Sequence, residues 1–104
     1  MRSAFVVFIT ASNRKEAEKI SRELVKEKLA ACVNVFPRVD SRYWWKGKIE
    51  TSSESLLMAK TKKTALPKLI RKVKAIHSYT VPEIIAIPIV AGNIDYLRWI
   101  EESI

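Results

Sequence analysis

The chain has 104 residues, 48% of them hydrophobic, and 19 lysine and arginine residues against 11 aspartate and glutamate residues give it a formal net charge of +8. This length supports one hydrophobic core, so we predict a single domain over residues 1–104, and the apolar content excludes a disordered chain. The positive charge allows nucleic acids, small anions or membrane surfaces as partners, and it is also typical of the charged surfaces of thermophile proteins.

Residues 3–10 form a continuous run of apolar, β-branched and aromatic side chains, which predicts a strand buried on both faces. Charged residues follow at once, so a strand explains the run better than a signal peptide does. No apolar segment reaches the roughly 20 residues needed to cross a bilayer. The single cysteine cannot form an internal disulfide. We therefore expect a soluble, cytoplasmic protein without a membrane partner.

The next segment, residues 13–28, has the period of an amphipathic helix. Asn13 and Glu16 resemble a capping box, and Ala17, Ile20 and Leu24 then recur at helical spacing.

Two extended segments follow this helix. Residues 32–36 predict a second strand that ends at Pro37, and residues 40–45 resume extended character. The triplet 46–48 contains Gly47 and supplies a turn, after which residues 49–61 return as a long strand. A hairpin of this length is expected to project beyond a small domain.

A second helix is predicted after Thr64, which can cap it, with Pro67 in its first turn. Pro82 stops helical continuation, and residues 83–90 predict a last strand in which Pro88 favours a sheet edge or a bulge. Gly92 and Asn93 then open a short C-terminal helix.

The order β, α, β, β, α, β with a C-terminal helix predicts an α+β protein of the ferredoxin-like fold, with an antiparallel sheet and its helices on one face. The uncovered face would expose strands rich in valine, isoleucine and phenylalanine. Self-association is the expected way to cover it.

Five motifs in this order resemble the CutA family of divalent-cation tolerance proteins: residues 29–34 (LAACVN), 43–50 (YWWKGKIE), 60–61 (KT), 77–84 (HSYTVPEI) and 96–99 (YLRW). The resemblance covers about residues 4–102. It implies a non-enzymatic subunit assembled as a homotrimer resembling the PII signalling proteins, with long hairpins pairing between subunits and clefts between them. It also implies a role in the response to copper and other divalent metal ions.

His77 and Glu83 are the candidate metal ligands, because a neutral imidazole and a carboxylate suit Cu2+ and related divalent ions. In some relatives copper ligation also uses a cysteine and a second histidine, and Ile9 and Ile76 occupy those positions here. Cys32 lies in a small-residue run typical of a buried thiol. The alternative for His77 is a structural residue at a helix C-terminus, where its charge would favour the dipole.

A second candidate site is a cleft between subunits formed by Tyr43, Trp45, Lys60 and Tyr79, which could accept a small anion as a PII-like sensing module does. Aromatic residues at such spacing also serve as interface packing, and this alternative stays open.

Catalysis has little support, because no nucleophile accompanies the single histidine and two glycines cannot form a phosphate loop. An RNA-binding ferredoxin-like domain is the remaining alternative, since residues 60–74 carry seven positive charges and no acid. The aromatic strand with which such domains stack bases is missing, however. We expect a protein that is not an enzyme and has no nucleic-acid partner.

Overall fold

The computed structural model describes residues 3–104 as a four-stranded antiparallel sheet with three α-helices. The elements in chain order are β1 (Ala4–Ala11), α1 (Arg14–Lys26), β2 (Cys32–Trp45), β3 (Lys48–Lys62), α2 (Leu66–Ile76), β4 (Ile84–Pro88) and α3 (Ile94–Ser103). The strands lie in the order β2-β3-β1-β4. This confirms the predicted ferredoxin-like arrangement, with β4 and its Pro88 at an edge of the sheet.

Helix α1 begins where the capping residues predict. The Oδ1 atom of Asn13 accepts a hydrogen bond of 2.9 Å from the Glu16 amide. The helix ends at Lys26, before the predicted residue 28, because Lys28 adopts a positive φ of 57°. The Leu29 amide then bonds to the Leu24 carbonyl at 2.9 Å, which closes the helix with a Schellman motif.

The hairpin of β2 and β3 is longer than predicted. Pro37 does not end the second strand, because an irregularity between Phe36 and Val39 lets β2 continue around the proline to Trp45. Lys46 and Gly47 form the turn with φ values of 51° and 78°, the geometry of a tight hairpin turn that suits the twist of the strands. The molecule measures 44 × 25 × 23 Å, consistent with a projecting hairpin.

The predicted cap of the second helix is wrong. Thr64 lies inside a short 3-10 turn, Lys63–Ala65, and α2 begins after Ala65 without a side-chain cap. Pro67 occupies the first turn, where its missing amide needs no partner, so the helix tolerates the absence of a capping hydroxyl.

The main core lies between one sheet face and helices α1 and α2. On the strands it consists of residues that alternate toward this face, such as Val7, Ile9 and Leu57, which are fully buried. Ile20 and Leu69 contribute from the two helices. Together they account for the helical periodicity seen in the sequence.

Helix α3 packs on the other face, contrary to the prediction that all helices lie on one side. Leu97 and Ile100 contact Ala4, which points away from the main core because it is out of phase with Val7. Lys62, opposite Ala4 in the ladder, binds the Glu101 carbonyl from the same side. Helix α3 therefore covers one end of the second face.

The remainder of this second face, the open face, is apolar and uncovered in the single chain. Its residues pair across neighbouring strands and include Val6, Phe8, Phe36, Leu56, Met58, Ile85 and Ile87. Phe36, Ile85 and Ile87 are between 43% and 49% exposed. Within residues 3–104, no helix combines the length and apolar character that a membrane crossing requires.

Candidate functional site

The His77 side chain is buried and links the end of α2 to the end of β1 by a hydrogen bond. It has no exposed surface. The Nε2 atom lies 2.7 Å from the Thr10 carbonyl oxygen, and Nδ1 accepts a hydrogen bond of 3.0 Å from the Tyr79 amide. This pattern assigns a neutral ring that donates through Nε2. Both nitrogens are engaged within the chain, so neither offers a free lone pair to a metal ion.

Glu16 joins the same network from the first turn of α1. Its carboxylate accepts hydrogen bonds from the amides of Ser12 and Ser78, at 2.9 and 2.6 Å, and from the hydroxyls of both serines, at 2.9 and 3.0 Å. Burial by itself raises the pKa of this carboxyl, but the four hydrogen bonds outweigh it and lower the pKa to about 2. Glu16 is therefore a charged acceptor at neutral pH, and it fixes the loop after α2 to helix α1.

Tyr79 extends from this loop to strand β3. Its ring lies 4.7 Å from the His77 ring between centroids, and its hydroxyl donates a hydrogen bond of 2.8 Å to Glu54. Burial, followed by this bond to a carboxylate, raises the pKa of Tyr79 above its ordinary value. The phenol therefore stays protonated and acts as a donor to Glu54.

A cavity of about 740 Å³, here called the hairpin groove, lies between the loop after α2 and the outer half of the hairpin, from Glu54 to Trp45. Its aromatic walls are Tyr43 and Trp45 from β2 and Tyr79 from the loop, and its charged lining residues are Arg42, Glu54 and Glu83. The volume is in the range that small-molecule sites occupy. Serine and threonine residues and Val81 complete the lining.

The structure brings together three of the four residues predicted for a cleft. Tyr43, Trp45 and Tyr79 line the hairpin groove, whereas Lys60 does not. The Lys60 ammonium instead binds the Asn34 side-chain oxygen on the open face, 4.0 Å from the Cys32 sulfur. Within one chain, the groove therefore lacks the lysine expected to attract an anion.

The two predicted metal ligands are differently placed. Glu83 is exposed and lines the hairpin groove, while His77 is buried behind it. Among residues 3–104, the carboxylate within 4 Å of a His77 ring nitrogen belongs to Glu16, with its oxygen 3.8 Å from Nδ1. Ile9 lies in the core and Ile76 packs against it, so both supply apolar contact.

The donor set of one chain does not form a metal cage. No cluster of three histidine, cysteine, aspartate or glutamate side chains suited to a metal ion occurs in the described part of the chain. Cys32 is half-buried and contacts Asn34 at 3.9 Å, far along the sheet from the groove lining. A divalent ion at His77 and Glu83 would need a freed imidazole nitrogen and further ligands.

Sequence reasoning missed Glu16, Ser78 and Glu54. The sequence pattern indicates only a helix cap for Glu16, and its bonds to Ser78 span 62 positions, for which no local pattern gives a signal. Glu54 had a weak signal, because it shares a strand face with Leu56 and Met58 and so is a charge at the edge of an apolar stripe.

Residues 5–103 match the family described as CutA1 divalent ion tolerance protein. A divalent-cation tolerance protein CutA from Thermus thermophilus is 49% identical over 94% of this chain and 95% of its own length. The rice protein CutA 1, chloroplastic, is 45% identical over 96% of this chain, which spans only 56% of that relative.

A solved structure of a related protein has the same fold as this chain. The divalent cation tolerance protein of Thermus thermophilus superposes with a TM-score of 0.94 at 48% identity, covering 96% of this chain and 97% of the other.

Proposed function

Because this chain belongs to the CutA1 divalent ion tolerance protein family, we propose that it acts in the response to divalent metal ions as a non-enzymatic homotrimer. The open face is the observation that carries the assembly. Seven apolar residues share this face of the sheet, and three of them, Phe36, Ile85 and Ile87, are 43–49% exposed. Exposed apolar patches on soluble proteins mark interaction surfaces. Tyr43 and Trp45, which are 42% and 49% exposed on the same face of the projecting hairpin, extend this surface.

The hairpin groove is the proposed ligand site of this assembly. It opens beside the open face, so a neighbouring copy that covers this face would also border the groove. Tyr43, Trp45 and Tyr79 then line a cleft between subunits, to which Lys60 of the open face could be brought by a neighbouring copy. A cytoplasmic location belongs to the proposal, because one cysteine leaves no internal disulfide to protect.

We place divalent-ion binding, with Cu2+ as the test ion, at His77 and Glu83. The preference of Cu2+ for imidazole and carboxylate ligands supports this assignment. Coordination would, however, cost the free energy of a hydrogen bond of His77. The His77 ring must give up its hydrogen bond to Thr10 or to Tyr79 before it can coordinate. Two ligands from one chain make a weak site, so uptake is expected to be modest and completed by water or another subunit.

Light scattering tests the assembly. The wild type is expected at three times the chain mass, and Ile85→Asp is expected to reduce it to one chain, because a carboxylate cannot be buried in the apolar contact. Ile70→Asp is the matched control, since Ile70 is 36% exposed on α2, away from the open face. A monomeric wild type, or an Ile85→Asp trimer, would contradict the assembly.

Titration with Cu2+ tests the metal site. Uptake is expected to fall in the His77→Ala, Glu83→Ala double variant and in Glu83→Gln alone. Because Glu83 is exposed, the single variant keeps the fold and separates ligation from stability. Equal uptake by all three proteins would remove the metal role of this pair.

A further inference from the structure

We propose that the hairpin groove binds a small organic cation, an ammonium or guanidinium group on an apolar body, and that the Glu54 carboxylate holds it. This inference rests on the proposed role of the groove as the ligand site. It names the chemical class of the ligand, which the family description leaves open.

The first observation is a buried charge without a counter-ion. Among residues 3–104, Glu54 is the one charged residue less than 9% exposed, at 8%. Its carboxylate accepts a hydrogen bond from the Tyr79 hydroxyl. No lysine, arginine or histidine nitrogen of the described chain lies within 4 Å of it. Burial of an uncompensated carboxylate is costly, and a bound cation would offset that cost.

The second observation is the sign of the charge that lines the groove. Lys60, the predicted attractor of an anion, lies outside it. The charged lining consists of two carboxylates, Glu54 and Glu83, against one guanidinium, Arg42. Arg42 is exposed, as is Glu83, so the buried charge of the groove is negative. Within one chain the groove therefore favours a cation over an anion.

The third observation is the aromatic wall. Tyr43 and Tyr79 line the cavity near Glu54, whereas Trp45, opposite Lys48, borders its far end at the hairpin tip. Aromatic faces attract organic cations through their quadrupoles. A hard metal ion would instead require several oxygen ligands, and the described chain gathers no cluster of three acidic, histidine or cysteine side chains.

Calorimetric titration of the assembled protein in the presence of EDTA tests the inference with three probes of one shape. Benzylammonium is the cation, benzyl alcohol the neutral control and benzoate the anion. Benzylammonium is expected to bind at least 10-fold more tightly than either control. Glu54→Gln, which keeps the side-chain shape and an acceptor for Tyr79, is expected to weaken this binding at least 10-fold. Glu102→Gln, an exposed change on α3, is expected to leave it within twofold.

Tighter binding of benzoate, equal affinity in Glu54→Gln, or no binding of benzylammonium would overturn the inference. Loss of the trimer in Glu54→Gln would also overturn it, because the counter-ion of Glu54 would then come from a neighbouring copy. Light scattering of the same samples distinguishes failure of the proposed ligand class from failure of the proposed trimer. A wild-type trimer without binding refutes the ligand class alone, whereas a wild-type monomer refutes the proposed function.

Discussion

Replacement of Glu16 by glutamine should destabilise the protein in a manner that depends on pH. The Glu16 carboxylate accepts four hydrogen bonds from Ser12 and Ser78. Glutamine has one acceptor oxygen and an amide group that is itself a donor, so one donor would face another in this site. The variant should therefore lose bonds that connect α1 to the loop carrying His77 and Tyr79.

The magnitude follows from the pKa of Glu16, which falls from 4.5 to about 2 in the folded protein. At about 1.36 kcal/mol per pKa unit, this difference corresponds to about 3 kcal/mol of stability. Because the folded pKa is depressed, this contribution is fully present above pH 4.5 and is lost as the pH falls through about 2. At pH 2.5 about 1 kcal/mol of it should remain.

Denaturant unfolding at one fixed protein concentration, at pH 7 and at pH 2.5, measures both quantities. Glu16→Gln should cost about 2–3 kcal/mol at pH 7, and the difference from wild type should shrink in acid. Glu18→Gln is the control, since its partner Arg14 is 67% exposed, and it should cost under about 0.5 kcal/mol. A Glu16→Gln deficit that stays constant between the two pH values would refute the assigned role of the carboxylate.

Two further substitutions test the loop and the hairpin. His77→Ala removes the bonds to Thr10 and Tyr79 and leaves a buried gap. It should lower the free energy of unfolding by about 2–4 kcal/mol, measured with denaturant. A loss under about 0.5 kcal/mol would contradict the structural role of the ring. Gly47→Ala should lower stability by about 1 kcal/mol through its φ of 78° alone, because an added methyl group would meet no atom within 4 Å. An unchanged thermal midpoint would show that the turn relaxes.

The local elements were predictable where a single residue or a short period decides them. Asn13 caps α1, Gly47 forms the hairpin turn and Pro88 lies on an edge strand, as the sequence indicated. The cap at Thr64 was wrong because the chain inserts a 3-10 turn before α2, and Pro67 already removes one amide that a cap would satisfy. The end of β2 was wrong because the strand continues past Pro37 through a local irregularity that no short window reveals.

Sequence patterns predicted the order of the strands and helices, the apolar character of the open face and the family, because periodicity, turn chemistry and motifs are local properties. The burial and hydrogen-bond partners of each candidate side chain became known from the folded chain. Folding directed His77 into hydrogen bonds with Thr10 and Tyr79, left Lys60 outside the hairpin groove, and buried Glu54 within it. Burial and partners depend on contacts between residues distant in sequence, and these set the charge, tautomer and accessibility on which binding depends.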